Sequence, residues 1–254
     1  MPTDSASAIE MISGVPVGAP VPYEYNLLLV ALSFLISVLG SYVALEMATE
    51  RRRGNDTVTG PAFALGGCAI WAMHFIGMAA YTTPLRVSYS LFPTLASLVL
   101  AVGVTGFGFA IAQRDPSDRR NLLIGGVSIG GGVLTMHYLG MFGMDIRATT
   151  EWRLAVVAAS VLIAVSAATA ALWFAFTVTR RWQRALAAVA MGVAVCAMHY
   201  TGMAAAIFVC SANGSPSQYV LEGAYLPHIV FALALVSLAT SMAYTRFDKA
   251  IGPR

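Results

Sequence analysis

Hydrophobic and polar positions divide the chain into long apolar runs separated by short polar breaks. A helix needs about 20 predominantly apolar residues to cross the hydrocarbon core of a bilayer. Such runs occur at 25–48, 61–81, 91–112, 121–143, 153–178, 184–208 and 226–246, each bounded by charges, prolines or glycines. Small residues recur within them, as in VGVTGFGFA (102–110) and GGVSIGGGV (125–133). In lipid, such positions allow helix backbones to approach closely. The pattern predicts an all-α, polytopic membrane protein with seven transmembrane helices over 25–246. An N-terminal tail, 1–24, precedes them and a C-terminal stub, 247–254, follows.

Composition sharpens this reading. The 254 residues are 58% hydrophobic and 11% charged, whereas soluble domains carry about 25% charged residues. The basic residues also predict orientation, because cytoplasmic loops hold the excess of Lys and Arg. Arg51, Arg52, Arg53, Arg114, Arg119, Arg120, Arg180, Arg181, Arg184, Arg246, Lys249 and Arg254 fall on one side; Arg86, Arg147 and Arg153 fall on the other. The N-terminus is therefore expected outside and the C-terminus in the cytoplasm. A net charge of +3, spread over short clusters, gives no reason to expect nucleic-acid binding. The stretch MPTDSASAIEMISGVPVGAPVP lacks the basic and apolar regions of a signal peptide and reads as a loosely ordered tail. Cys68 and Cys196 sit in apolar runs as small buried hydrophobes, and Cys210 is placed at a helix end; no zinc-like spacing or disulfide framework emerges.

A repeat underlies the spans. AMHFIGMAA (72–80), TMHYLGM (135–141) and CAMHYTGMAAA (196–206) share the pattern M-H-[FY]-x-G-M. The intervals His74 to His137 and His137 to His199, 63 and 62 residues, each cover two spans and two loops. Every copy thus returns in the same orientation, with its histidine in the outward half of its span. SVLGSYVAL (37–45), SAATAALWF (166–174) and SLATSMAY (237–244) echo one another weakly. The expected architecture is three parallel two-helix repeats plus a closing helix.

Ionisable side chains inside a membrane are costly and usually functional. One buried histidine is readily a hydrogen-bonded packing residue; three at a regular period, each with two methionines, are not explained that way. Met78, Met141 and Met203 lie four residues beyond His74, His137 and His199 and share their helix faces. Met73, Met136 and Met198 sit about 100° round, at the edge of those faces. Gly77, Gly140 and Gly202 lie on the flank and permit close approach of a helix or a ligand. Imidazole with thioether suits copper, the thioether favouring the reduced ion, whereas zinc gains little from sulfur. Tyr138 and Tyr200 follow their histidines and could orient a ligand, although interfacial anchoring explains them equally well. Asp145, on the outer side, could attract a cation but is more simply a solvated loop acid; His228, also outward, is a fourth candidate ligand outside the repeat; and Glu46 snorkels or pairs with the Arg51–Arg53 cluster.

On these motifs the chain resembles the MHYT family of bacterial integral-membrane sensor domains, over essentially residues 25–246. The motif falls on Met73, His74 and Phe75, on Met136, His137 and Tyr138, and on Met198, His199 and Tyr200. Its last letter is kept only as Thr201, with Ile76 and Leu139 elsewhere. The resemblance implies copper near the outer face of the bacterial inner membrane, sensing of a diatomic gas (oxygen, carbon monoxide or nitric oxide) or of redox state, and signalling to a cytoplasmic output domain or partner, cyclic-di-GMP turnover among them. A homodimer is left open. Any catalytic activity is expected in a fused or partner domain.

Other classes fit less well. No Walker A loop, dinucleotide fingerprint or HExxH pair is present, so the chain is not expected to be an enzyme. Lys249, the only lysine, lies beyond the last span, which excludes a retinal Schiff base. A haem protein would use two histidines axially but leave the threefold pattern unused. A copper carrier would need a polar or thioether trail through the inner halves of the helices.

Overall fold

The computed structural model describes residues 11–51, 58–212 and 220–251. Its chain is mostly helical. The helices are α1 (Leu27–Arg51), α2 (Thr59–Ala79), α3 (Leu91–Ala112), α4 (Arg119–Phe142), α5 (Leu154–Thr177), α6 (Arg181–Ala204) and α7 (Leu226–Ile251). Six of them, α1 to α6, are long and apolar enough to cross a membrane. The expected seventh span, 226–246, falls on α7, whose apolar stretch among the described residues is Leu226–Val236. Residues 247–251 continue α7 as helix. Arg52, Arg53 and residues 252–254 lie outside the described residues.

The six form a closed ring. Helix α1 packs on α2 and α6, α3 on α2 and α4, and α5 on α4 and α6. It is therefore α1, against α6, that closes the ring. The expected closing helix α7 lies outside it, against α2 and α1, with the Cys68 thiol donating to the Ala234 carbonyl at 3.6 Å. Glycine makes the tightest approaches possible: a methyl group at Gly40 on α1 would stand 2.6 Å from the Ala69 backbone nitrogen on α2. The outer surface carries large apolar side chains such as Leu28, Phe92, Val99 and Leu162, all more than 70% exposed, as a lipid-facing surface requires.

Helix α2 differs from the continuous α-helix that the periodicity predicts. Its middle, Phe63–Ala72, is π-helical, and regular α-helix resumes at Met73. This wider turn is fed by Gly66 and Gly67. Gly66 lies so close to α3 that a Cβ would meet the Ala101 carbonyl oxygen at 2.6 Å.

Short antiparallel strands cap one end of the ring, so the chain is not all-α as the apolar runs predict. They are β1 (Met11–Ile12), β2 (Val15–Pro16), β3 (Glu24–Tyr25), β4 (Tyr81–Thr82), β5 (Val87–Ser90), β6 (Met144–Ile146), β7 (Ala148–Trp152), β8 (Ala206–Cys210) and β9 (Val220–Glu222). Strand β3 pairs with β4, β5 with both β6 and β9, and β7 with β8. Residues 11–24, expected within a loose tail, include the β1–β2 hairpin and run along β8, where Val21 N–H donates to the Phe208 carbonyl at 2.8 Å. Cys210, expected at a helix end, terminates β8 and is buried.

Candidate metal centre

Each motif occupies the last turns of α2, α4 or α6, just beneath the strand cap. Because these helices alternate with α1, α3 and α5 around the ring, their three histidines face a common axis. His74, His137 and His199 are at most 1% exposed. The Nδ1 of His74 lies 3.0 Å from Nδ1 of His199 and 3.1 Å from Nδ1 of His137. Ring centroids are 4.8, 5.0 and 5.2 Å apart with planes nearly perpendicular. One nitrogen from each residue thus lies within 4.8 Å of the others, a group that could hold a metal ion.

Hydrogen-bond accounting makes this cluster unusual. A neutral imidazole has one donor and one acceptor nitrogen. All three Nε2 atoms are buried without a hydrogen-bond partner, an omission that costs about 1–3 kcal/mol for each atom left unsatisfied. If those Nε2 atoms carry the protons, three Nδ1 lone pairs face one another. A cation among them turns that repulsion into three ligand bonds. Nitrogen ligands at about 2.0–2.1 Å from a shared ion stand a little over 3 Å apart, close to the two spacings from His74. The donor set therefore fits a metal ion; the geometry does not by itself choose which metal.

The flanking glycines have a definite partner, which is the neighbouring imidazole. Gly77 of α2 lies under the ring of His199, Gly140 of α4 under His74, and Gly202 of α6 under His137. A Cβ at Gly77 would be 2.5 Å from His199 Nε2. Each helix supplies one ring and one bare patch of backbone, and the exchange runs round the axis.

The tyrosines anchor the inner helices to the outer ones. Tyr138 shares a 2.8 Å hydrogen bond with Ser160 on α5, and Tyr200 a 3.1 Å bond with Ser33 on α1. Phe75 cannot do so. Instead Trp71, one turn earlier, donates its Nε1–H to Ser97 on α3 at 3.0 Å and to the Thr94 carbonyl at 3.2 Å. Sequence reasoning did not single out Ser33, Ser97, Ser160 or Trp71. The serines recur at intervals of 64 and 63 residues, almost the histidine period, and that signal was available.

The six motif methionines, Met73, Met78, Met136, Met141, Met198 and Met203, are all buried. Asp145, on β6, and His228, exposed on α7 with Nδ1 donating to the Ala224 carbonyl at 3.0 Å, do not join the histidine group. Both follow from the fold: β6 leads away from α4 into the cap, and α7 stands outside the ring. A haem between two of the rings would need a slot that their nitrogen contacts fill. Directly below the histidines the axis is lined by Ile70, Val133 and Val195 one turn down, with Met191 a further turn inward.

A family model described as "MHYT: Bacterial signalling protein N terminal repeat" matches residues 8–60, 67–126, 130–188 and 192–250. Each of the last three matches begins seven residues before a motif histidine. The first has Val15 at that offset and so contributes α1 without a histidine helix. Among related proteins, the bifunctional diguanylate cyclase/cyclic di-GMP phosphodiesterase MucR of Pseudomonas aeruginosa is 35% identical over 91% of this chain and 35% of its own length. The cyclic di-GMP phosphodiesterase NbdA of the same organism is 36% identical over 76% of this chain and 26% of its own. Signaling protein YkoW of Bacillus subtilis is 26% identical over 89% and 30%. The chain thus spans about a third or less of the length of these relatives. No solved structure matches.

Proposed function

The chain belongs to the MHYT family of bacterial signalling proteins, and from that premise we propose that it is a copper-binding sensor of a diatomic gas or of redox state. MHYT repeats cover it without a catalytic domain, so its part in such proteins is that of a sensor. The observation that carries the metal is the convergence of three buried imidazoles from three helices, with the Nδ1 atoms of His199 and His137 3.0 and 3.1 Å from that of His74. His74, His137 and His199 hold the ion. Met78, Met141 and Met203, on the same helix faces, supply thioether ligands, and Met73, Met136 and Met198 line the site. This donor set favours copper over zinc. Copper held there would supply a redox-active centre.

The remaining steps belong to the chain. Gly77, Gly140 and Gly202 set the ring positions, and the hydroxyl pairs with Ser33 and Ser160 hold α4 and α6 to their neighbours. Any change in the spacing of the three imidazoles moves α2, α4 and α6 relative to one another. Those helices run to the opposite end, which in this proposal is the cytoplasmic face of a bacterial inner membrane, in keeping with its excess of basic residues. Switching requires two arrangements with different ligand affinity. The output is a cyclic-di-GMP-turning domain or partner, as the names of MucR and NbdA suggest.

Purified protein in detergent, loaded with Cu(I), tests the reading by metal analysis and visible spectroscopy. About one copper per chain, lost in His74→Ala, His137→Ala and His199→Ala, is the expected result. A saturated preparation without transition metal, or a Soret band, overturns it.

A further inference from the structure

Beneath the histidines lies a partly open space with no polar side chain in its lining. Its upper tier is Ile70, Val133 and Val195, each four residues before a motif histidine and so one turn below it. Its lower tier is Leu65, Ile129 and Met191. Ile129 and Met191 precede His137 and His199 by eight residues, while Leu65 precedes His74 by nine. The π-helical turns of α2 absorb that extra residue and bring Leu65 level with its counterparts. The space is therefore coaxial with the imidazole group. Met198, the residue before His199, also lines it.

One wall is different. Facing the gap between α4 and α6, α5 presents Ala164, Ala167, Ala168 and Ala171, and Ala194 of α6 lies beside them. Ala167 and Ala194 are only half-buried, so the wall thins toward the lipid-facing surface. About 40 Å³ is open to the centre of a water-sized sphere, more than the 10–15 Å³ that one water needs. Water, though, requires 2–4 polar partners, and apolar cavities of this kind stay dry and take xenon or small hydrocarbons.

We propose that this alanine-walled cavity is a binding site for a small, uncharged, apolar molecule of diatomic size, entering from the bilayer between α5 and α6. The small inner volume suits a small ligand, the lining excludes ions, and the thin wall faces the phase in which apolar gases concentrate. It lies one helical turn from the imidazoles, so an occupant is delivered beside them. Occupancy itself does not depend on a metal in the histidine group; only its use in sensing rests on the function proposed above.

Xenon is the probe. Saturable xenon binding, followed by 129Xe NMR of the full chain in detergent, is expected for the wild type both with copper and after chelation. Ala168→Leu fills the space and is expected to weaken binding at least tenfold; Ala167→Leu, at the half-buried mouth, is expected to slow exchange without disturbing the interior. Absence of saturable binding in the wild type, or unchanged binding and exchange in both folded variants, overturns the proposal. Loss of copper in the histidine variants with xenon binding intact separates this site from the metal reading.

Discussion

Replacing Gly77 with alanine tests the exchange of glycine and imidazole that builds the centre. The new Cβ would lie 2.5 Å from Nε2, 2.9 Å from Cδ2 and 3.3 Å from Cε1 of His199. Ordinary contact begins near 3.4 Å, so the ring or its helix must retreat by about 0.9 Å. Its near neighbours are Nδ1 of His74 at 3.0 Å and a closely packed core, so there is little slack. Overpacking of this kind costs about 1–3 kcal/mol. A shift approaching half of a metal–nitrogen bond of about 2.0–2.1 Å removes one good ligand of three, and lesser disturbances around ligands already cost about 10–100-fold in metal affinity. Copper affinity, measured by competition with a chelator, is expected to fall at least tenfold, with a lowered melting temperature in detergent. Gly131→Ala is the control, since a Cβ there meets nothing within 4 Å and alanine is favoured over glycine in a helix by up to about 1 kcal/mol. Wild-type copper affinity in Gly77→Ala refutes the argument, as does an equal loss in Gly131→Ala.

Other outcomes follow from the same contacts. Tyr138→Phe removes the bond to Ser160 and is expected to cost about 1 kcal/mol in thermal unfolding. Trp71→Phe is expected to destabilise by a similar amount, and Trp71→Phe with Phe75→Tyr to recover part of it by restoring the tyrosine–serine bond of the other repeats; no recovery would mean that the three contacts are not equivalent. Ser41→Ala, at a fully buried hydroxyl without a partner, should be neutral or stabilising by up to about 1 kcal/mol, again by thermal melt. Arg86→Ala breaks an exposed ion pair with Glu222 and should change stability by less than about 1 kcal/mol, an effect that salt screens further.

The spans, the histidine period and the family could be read along the chain. Apolar run length and residue identity are local properties, and a 62–63-residue interval survives any detail of packing. The six membrane-capable helices therefore fall close to the expected runs, and His74, His137 and His199 come together as the repeat required. Strand pairing was not legible: segments such as Glu24–Tyr25 and Tyr81–Thr82 are two residues long, too short for any alternation to show. The π-helical middle of α2 was equally hidden, because its sequence is apolar throughout and only the level of Leu65 against Ile129 and Met191 reveals the added residue.

What the sequence alone determined is the inventory: membrane-length helices, three histidines at one depth, and sulfur and glycine at fixed offsets from each. Only the tertiary structure decided what those residues meet. It placed α1 and not α7 in the ring, turned each motif glycine toward the next imidazole, gave Trp71 the work of an absent tyrosine and left an apolar space on the axis. Those outcomes depend on contacts such as that between His74 and His199, 125 residues apart. The repeat makes the three copies alike, but which copy leans on which is settled by closing the ring.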